Sequence, residues 1–176
     1  MLFRSVLVSA LLHDIGMTVT RDSHELVGLV IALKYIDEML AQVYDNTEIP
    51  QKIAVRSLIL EGIFGHMATK KINSLEAGLV LIGDGCDMEE GRARIPNIIR
   101  SSPKAGDIHK YSAGSISKVL IEKGEEKPIR ILIQMSENVG IFQVEEVLYP
   151  KILSSPVKPH IELYAQVQEQ DILRYL

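Results

Sequence analysis

The chain has 176 residues, enough for one domain of ordinary size with a small appendage. Apolar residues make up 47 %, which supports a full core and excludes global disorder. The formal net charge of −4, from 19 basic and 23 acidic residues, argues against nucleic acid as a general ligand.

From the amino terminus, Leu2, Val6, Leu7, Ala10 and Leu11 share one helical face and predict a buried helix over 2–14, with Gly16 placed to end it. No capping residue precedes this helix, as if the fold began earlier. Ser23 offers an N-cap for a second helix from His24 to about Tyr44. Pro50 sits where a first turn tolerates proline, and a third helix follows with Ile53, Ala54, Leu58, Leu60 and Ile63 expected inward, ending near Gly65-His66. Asn73 or Ser74 caps a fourth, running to Asp84.

Residues 89–112 are rich in proline, glycine, serine and basic side chains, and read as a long loop. A strand pattern follows over 116–122, in which Val119 keeps the alternation only after a slip. Gly124 to Pro128 form a turn, and Ile129–Ile133 is a second strand, so the two read as a hairpin. Helical spacing runs from Val139 to Leu153, weakened at its end by Pro150, and Ile161, Leu163, Ala165 and Val167 alternate as a last strand. The fold class expected is mainly α: a helical domain over 1–112 and a small α/β appendage, strand–strand–helix–strand, over 113–176. The hairpin edge can pair with a second copy, so a homodimer is among the expected partners.

Cys86 is the sole cysteine, which excludes an internal disulfide and fits a reducing compartment. The apolar opening lacks a cleavage-site pattern, and no segment approaches a membrane span. The expectation is a cytoplasmic protein with no membrane partner.

The residues that carry chemistry are His13-Asp14, His24, His66 and Asp84. An imidazole beside a carboxylate suits Mn, Fe, Co, Ni or Zn, and the carboxylate also admits Mg. All five fall at or near helix ends, where rigid elements can present polar groups to one cleft. Each alone has a plainer reading. A lone histidine is more often a hydrogen-bonded core residue, His24 can simply begin a helix, and Asp84 before Gly85 can begin a turn, with Asp87 a competing carboxylate. Arg92, Arg94, Arg100, Lys104, His109 and Lys110 follow soon after Asp84. Of these, Arg92 and Arg94 lie closest to it and suit bidentate contact to a substrate phosphate.

LLHDIG resembles the signature of the HD-domain metal-dependent phosphohydrolases. SHELVGLVIA, GIFGHM and LIGDGCDMEEGR fall where that superfamily places its later ligands, so the resemblance covers roughly residues 2 to 100. It implies a helical HD fold holding one or two divalent metal ions. His13 and Asp14 would be ligands, with Asp14 also the catalytic residue, bridging two metals or orienting the nucleophilic water. His24 and His66 would be the added histidines of binuclear members, and Asp84 the closing aspartate. The implied activity is hydrolysis of a phosphomonoester or phosphodiester, of a nucleotide, by a metal-activated water. One family residue has no counterpart, a histidine on a helix preceding the pair: none of the twelve residues before His13 is histidine. Either the ligand set is short by one or the sequence is part of a longer protein. The alternative function is a nucleotide- or metal-binding regulatory module without turnover. A ribonuclease is a third reading, against which the acidic charge counts.

Overall fold

The computed structural model describes residues 2–45, 48–89, 112–169 and 171–176. Arg92, Arg94 and the rest of the basic cluster lie outside the described residues. The chain packs as two compact units. One runs up to Asp84 and takes in Ser154–Pro156; the other comprises Gly85–Leu153 and Val157–Leu176.

The first unit is helical: α1 (Leu2–Leu12), a 3-10 turn (Ile15–Thr18), α2 (His24–Val43), α3 (Ile49–Gly65) and α4, which starts at Leu75 and ends at Cys86. Its main core joins Ala32, Ile36, Leu40 and Tyr44 to Val55, Ile59 and Ile63, with Val8, Leu12 and Ile15 packed against them. The faces differ from those the apolar spacing predicts. On α1 the buried positions are Ser5 and Ser9, while Leu7 and Leu11 are exposed. The reason is close approach of two backbones. A β-carbon on Gly62 would lie 2.6 Å from the Ser9 hydroxyl oxygen, so only small side chains fit where α1 meets α3. That hydroxyl lies 2.8 Å from the Ser5 carbonyl and 3.1 Å from the Ile59 carbonyl, which satisfies it inside the interface.

The same small-residue logic governs α2. It buries His24, Glu25, Gly28, Ala32, Ile36 and Leu40, and leaves Leu26 and Val30 on the surface. On α3 the inward stripe is Val55, Ile59, Gly62 and Ile63, whereas Ile53 points out. Ser23 occupies the N-cap position of α2 but is left-handed (φ 55°), and its hydroxyl accepts no capping hydrogen bond, which corrects the expectation for it. Ser74 does cap: its Oγ accepts from the Ala77 N–H at 3.1 Å. Glu61 reinforces the start of α4 by accepting from the backbone N–H of Asn73 at 2.6 Å and of Ser74 at 3.4 Å.

The second unit is built on a mixed sheet with the order β1 (Ile116–Lys123), β2 (Ile129–Met135), β3 (Ile161–Val167), β4 (Leu173–Arg174). The hairpin pair is antiparallel, with a bulge between Ile116 and Lys118 that accounts for the slip in its alternation. Strands β2 and β3 are parallel, which requires a crossover. It is supplied by helical turns from Asn138 to Ser154 that bury Val144, Leu148 and Ile152. Pro150 does not end this crossover. The chain widens into a π-helical turn over Val144–Leu148 and continues as an α-helix over Tyr149–Ser154, so the helical run passes through the proline. Cys86 is buried. Among the described residues no helix is long and apolar enough to cross a membrane.

Burial opposes ionisation of Glu61, but hydrogen bonds from Ser74 and Asn73 together hold its carboxyl below the ordinary value. A depressed folded-state value stabilises above the unfolded value and is lost as pH falls through the folded one. Glu61→Gln should therefore cost about 1 kcal/mol in denaturant unfolding at pH 7. That difference should vanish at acid pH; an equal difference at both pH values would show that the charge is not what matters.

Candidate metal centre

His13 and Asp14 follow α1 directly. The His13 N–H still bonds the Ser9 carbonyl at 2.8 Å, so the helix delivers the imidazole, and Asp14 then starts the 3-10 turn. His24 is the first residue of α2, His66 directly follows α3, and Asp84 lies in the last turns of α4. The structure brings all five together. Asp14 Oδ1 is 3.2 Å from His24 Nε2 and 3.5 Å from His66 Nε2, and Asp14 Oδ2 is 3.6 Å from His13 Nε2. His13 Nε2 lies 3.5 Å from Asp84 Oδ1, and the Nε2 atoms of His24 and His66 are 2.9 Å apart.

The second nitrogen of each ring makes this arrangement chemically specific. His13 Nδ1 lies 2.8 Å from the Ala10 carbonyl, His24 Nδ1 2.9 Å from Arg21 and His66 Nδ1 2.7 Å from Ile63, each three residues back in the chain. A carbonyl oxygen can only accept, so each Nδ1 must carry the hydrogen. In the neutral ring Nε2 is then a bare lone pair. Three such lone pairs and two carboxylates converge, and the His24–His66 approach at 2.9 Å is satisfied only with a cation between the nitrogens, a proton or a metal ion.

The five donors form two sets that share Asp14. Asp14, His24 and His66 can place one ligand atom each within 4.8 Å of one another. His13 faces the other oxygen of Asp14 and is flanked on its far side by Asp84. Two imidazoles and one carboxylate oxygen suit Mn, Fe, Co, Ni or Zn, while one imidazole and two carboxylates also admit Mg. The donor chemistry therefore fits one or two divalent cations. His24 and His66 are buried, and the Asp14 side chain is 41 % exposed, so the centre opens to solvent on the Asp14 side.

Electrostatics separates the imidazoles. The hydrogen bond to Asp84 holds His13 above the ordinary value against the effect of burial, with help from the Ala10 carbonyl and the Asp14 charge. Burial pushes His66 down, and the nearby His13 adds to this. Gly16, expected to end α1, has a different role. Its backbone presses on the start of α2 so closely that a β-carbon would lie 2.0 Å from the His24 carbonyl oxygen and 2.7 Å from the Gly28 nitrogen. Its position two residues after the His-Asp pair was the available signal, but what it touches is a tertiary fact.

No protein-family model matches the chain, and no solved structure matches it. An uncharacterized protein of Methanocaldococcus jannaschii is 38 % identical over 164 residues, which is 93 % of this chain and 61 % of that protein. The chain thus spans less than two thirds of the length of the curated relative it matches.

Two outcomes are expected. Gly16→Ala should destabilise the fold by about 2 kcal/mol through overpacking and weaken divalent-metal uptake, because it displaces His24. Unchanged metal affinity in isothermal titration would separate the turn from the site. Metal binding must displace the proton that Asp84 favours on His13, so affinity should fall as pH drops into the ordinary imidazole range, beginning on its alkaline side, with proton release on loading. A binding constant flat from about pH 6 to 8 would contradict this ordering.

Proposed function

We propose that the chain holds an HD-type centre of one or two divalent metal ions and hydrolyses a phosphomonoester or phosphodiester of a nucleotide. The reading rests most on one observation, the convergence of three Nδ1-tethered imidazoles on the two oxygens of Asp14 and on Asp84. A divalent cation held there supplies Lewis acidity, which makes water a competent nucleophile near neutral pH and offsets phosphate charge.

The protein's own groups do the positioning. The Ala10, Arg21 and Ile63 carbonyls hold the three rings in one tautomer, so no reorganisation is needed when a cation arrives. The Asp14 carboxylate is the most exposed donor, and it orients the attacking water by accepting a hydrogen bond from it. His66, fully buried, closes the far side of the centre to solvent. Arg92 and Arg94 are the proposed phosphate contacts, as guanidinium forks that match phosphate oxygens. Ligand chemistry favours Mn, Fe, Co, Ni or Zn on the His24–His66 set and admits Mg beside His13 and Asp84.

The test is metal content by plasma mass spectrometry together with turnover of a nucleotide panel and a generic aryl phosphate in added Mn, Co, Ni or Mg. The expected result is bound metal and turnover, with Asp14→Ala losing metal and about 100-fold or more of the activity. His66→Ala should lose the metal of its own set first. Metal and nucleotide binding without turnover in any cation would instead support a regulatory module. Absence of bound metal at neutral pH would sink the phosphohydrolase reading.

A further inference from the structure

Among the described residues, strand β1 is an outer strand of the sheet with no strand beyond it, and that edge carries an unusual symmetry. The Val119 N–H donates to the Glu89 carboxylate at 2.9 Å, so it points away from β2. By the alternation of a strand, Ile121 also turns its main-chain groups outward, while Lys118, Leu120 and Glu122 turn theirs toward β2. Lys118 and Glu122 are exposed and sit two residues either side of Leu120. Ile121 is 62 % exposed, although its register partner Ile131 is buried at 1 %. Among the described residues, one apolar row of the sheet therefore runs out to the edge and ends in an exposed side chain.

We propose that β1 pairs with β1 of a second copy, antiparallel, about a two-fold axis through Leu120. In that register Lys118 of each copy faces Glu122 of the other, on the face that carries Leu120. Val119 of each copy faces Ile121 of the other, and each such pair exchanges both of its outward main-chain hydrogen bonds. The paired Val119 and Ile121 side chains then cover one another, extending the row of Ile131 and Ile133 across the junction. Neighbouring registers fail one of these conditions. An axis through Ile121 sets Glu122 against Leu120, and an axis through Glu122 sets like charges face to face. Shifts of a single residue in the pairing sum place outward groups against inward ones.

Glu89 is the guard on this edge, since its carboxylate occupies the Val119 N–H and must release it for the strands to join. The association is accordingly a reversible one, set by competition between a side-chain acceptor and a neighbouring strand. It is independent of the metal centre.

Sedimentation equilibrium of the full chain over about 5 to 500 µM reads it out. The expected result is a monomer–dimer equilibrium. Lys118→Glu should weaken it about tenfold or more, because each symmetric junction gains two like-charge pairs. The double variant Lys118→Glu/Glu122→Lys restores opposite charges across the axis and should return the constant to within about threefold of the parent. Glu89→Ala, which frees the Val119 N–H, should tighten dimerisation. A chain monomeric over the whole range, a dimer indifferent to Lys118→Glu, or a double variant that fails to recover would each overturn the proposal.

Discussion

Three short tethers organise the helical unit. Each imidazole of His13, His24 and His66 gives its Nδ1 hydrogen to a carbonyl three residues back, near a helix end. Helix ends are where backbone groups lack intrahelical partners, so the rings can be locked there without breaking a helix. The cost is that three Nε2 lone pairs must face one another and two carboxylates inside a partly desolvated site. A proton or a divalent cation would resolve that crowding. The rest of the unit, from the Ser9–Gly62 contact to the pressure of Gly16 on α2, keeps these helix ends at one point.

Asp14 is the pivot of the charge arrangement. One oxygen faces the buried His24 and His66 and the other faces His13, which Asp84 flanks. The buried side is rich in nitrogen and low in charge. The other side is rich in carboxylate and keeps His13 proton-loving. This asymmetry means that two cations of different hardness can be served by donors from one cleft, and that protons compete most strongly at His13.

Much of this was legible in the sequence. The four helices of the first unit, the Ser74 cap, the hairpin with its slip at Val119 and the last strand all follow from local periodicity and turn chemistry. The five donors could be nominated because they sit at helix ends. Local pattern failed where two backbones approach closely. Ser5 and Ser9, not Leu7 and Leu11, face α3, since apolar spacing has no term for the space that Gly62 leaves. The helical spacing from Val139 to Leu153 is met by helical turns that run to Ser154, but the π-helical turn over Val144–Leu148 within them has no periodic signal. The two-residue β4 is too short to carry a periodic signal. The tautomers of the three histidines, on which the chemistry turns, are set by carbonyl contacts that spacing does not encode.

Long-range proton–nitrogen correlation spectra of the imidazoles test the central claim most directly, because they report which ring nitrogen carries hydrogen and which binds a cation. The account predicts the Nδ1–H form for His24 and His66 in the metal-free protein when the rings are neutral, and a shift confined to Nε2 of His13, His24 and His66 when a diamagnetic divalent ion such as Zn is added. Nε2–H forms in the metal-free protein, or Nε2 resonances that do not respond to the ion, would contradict it.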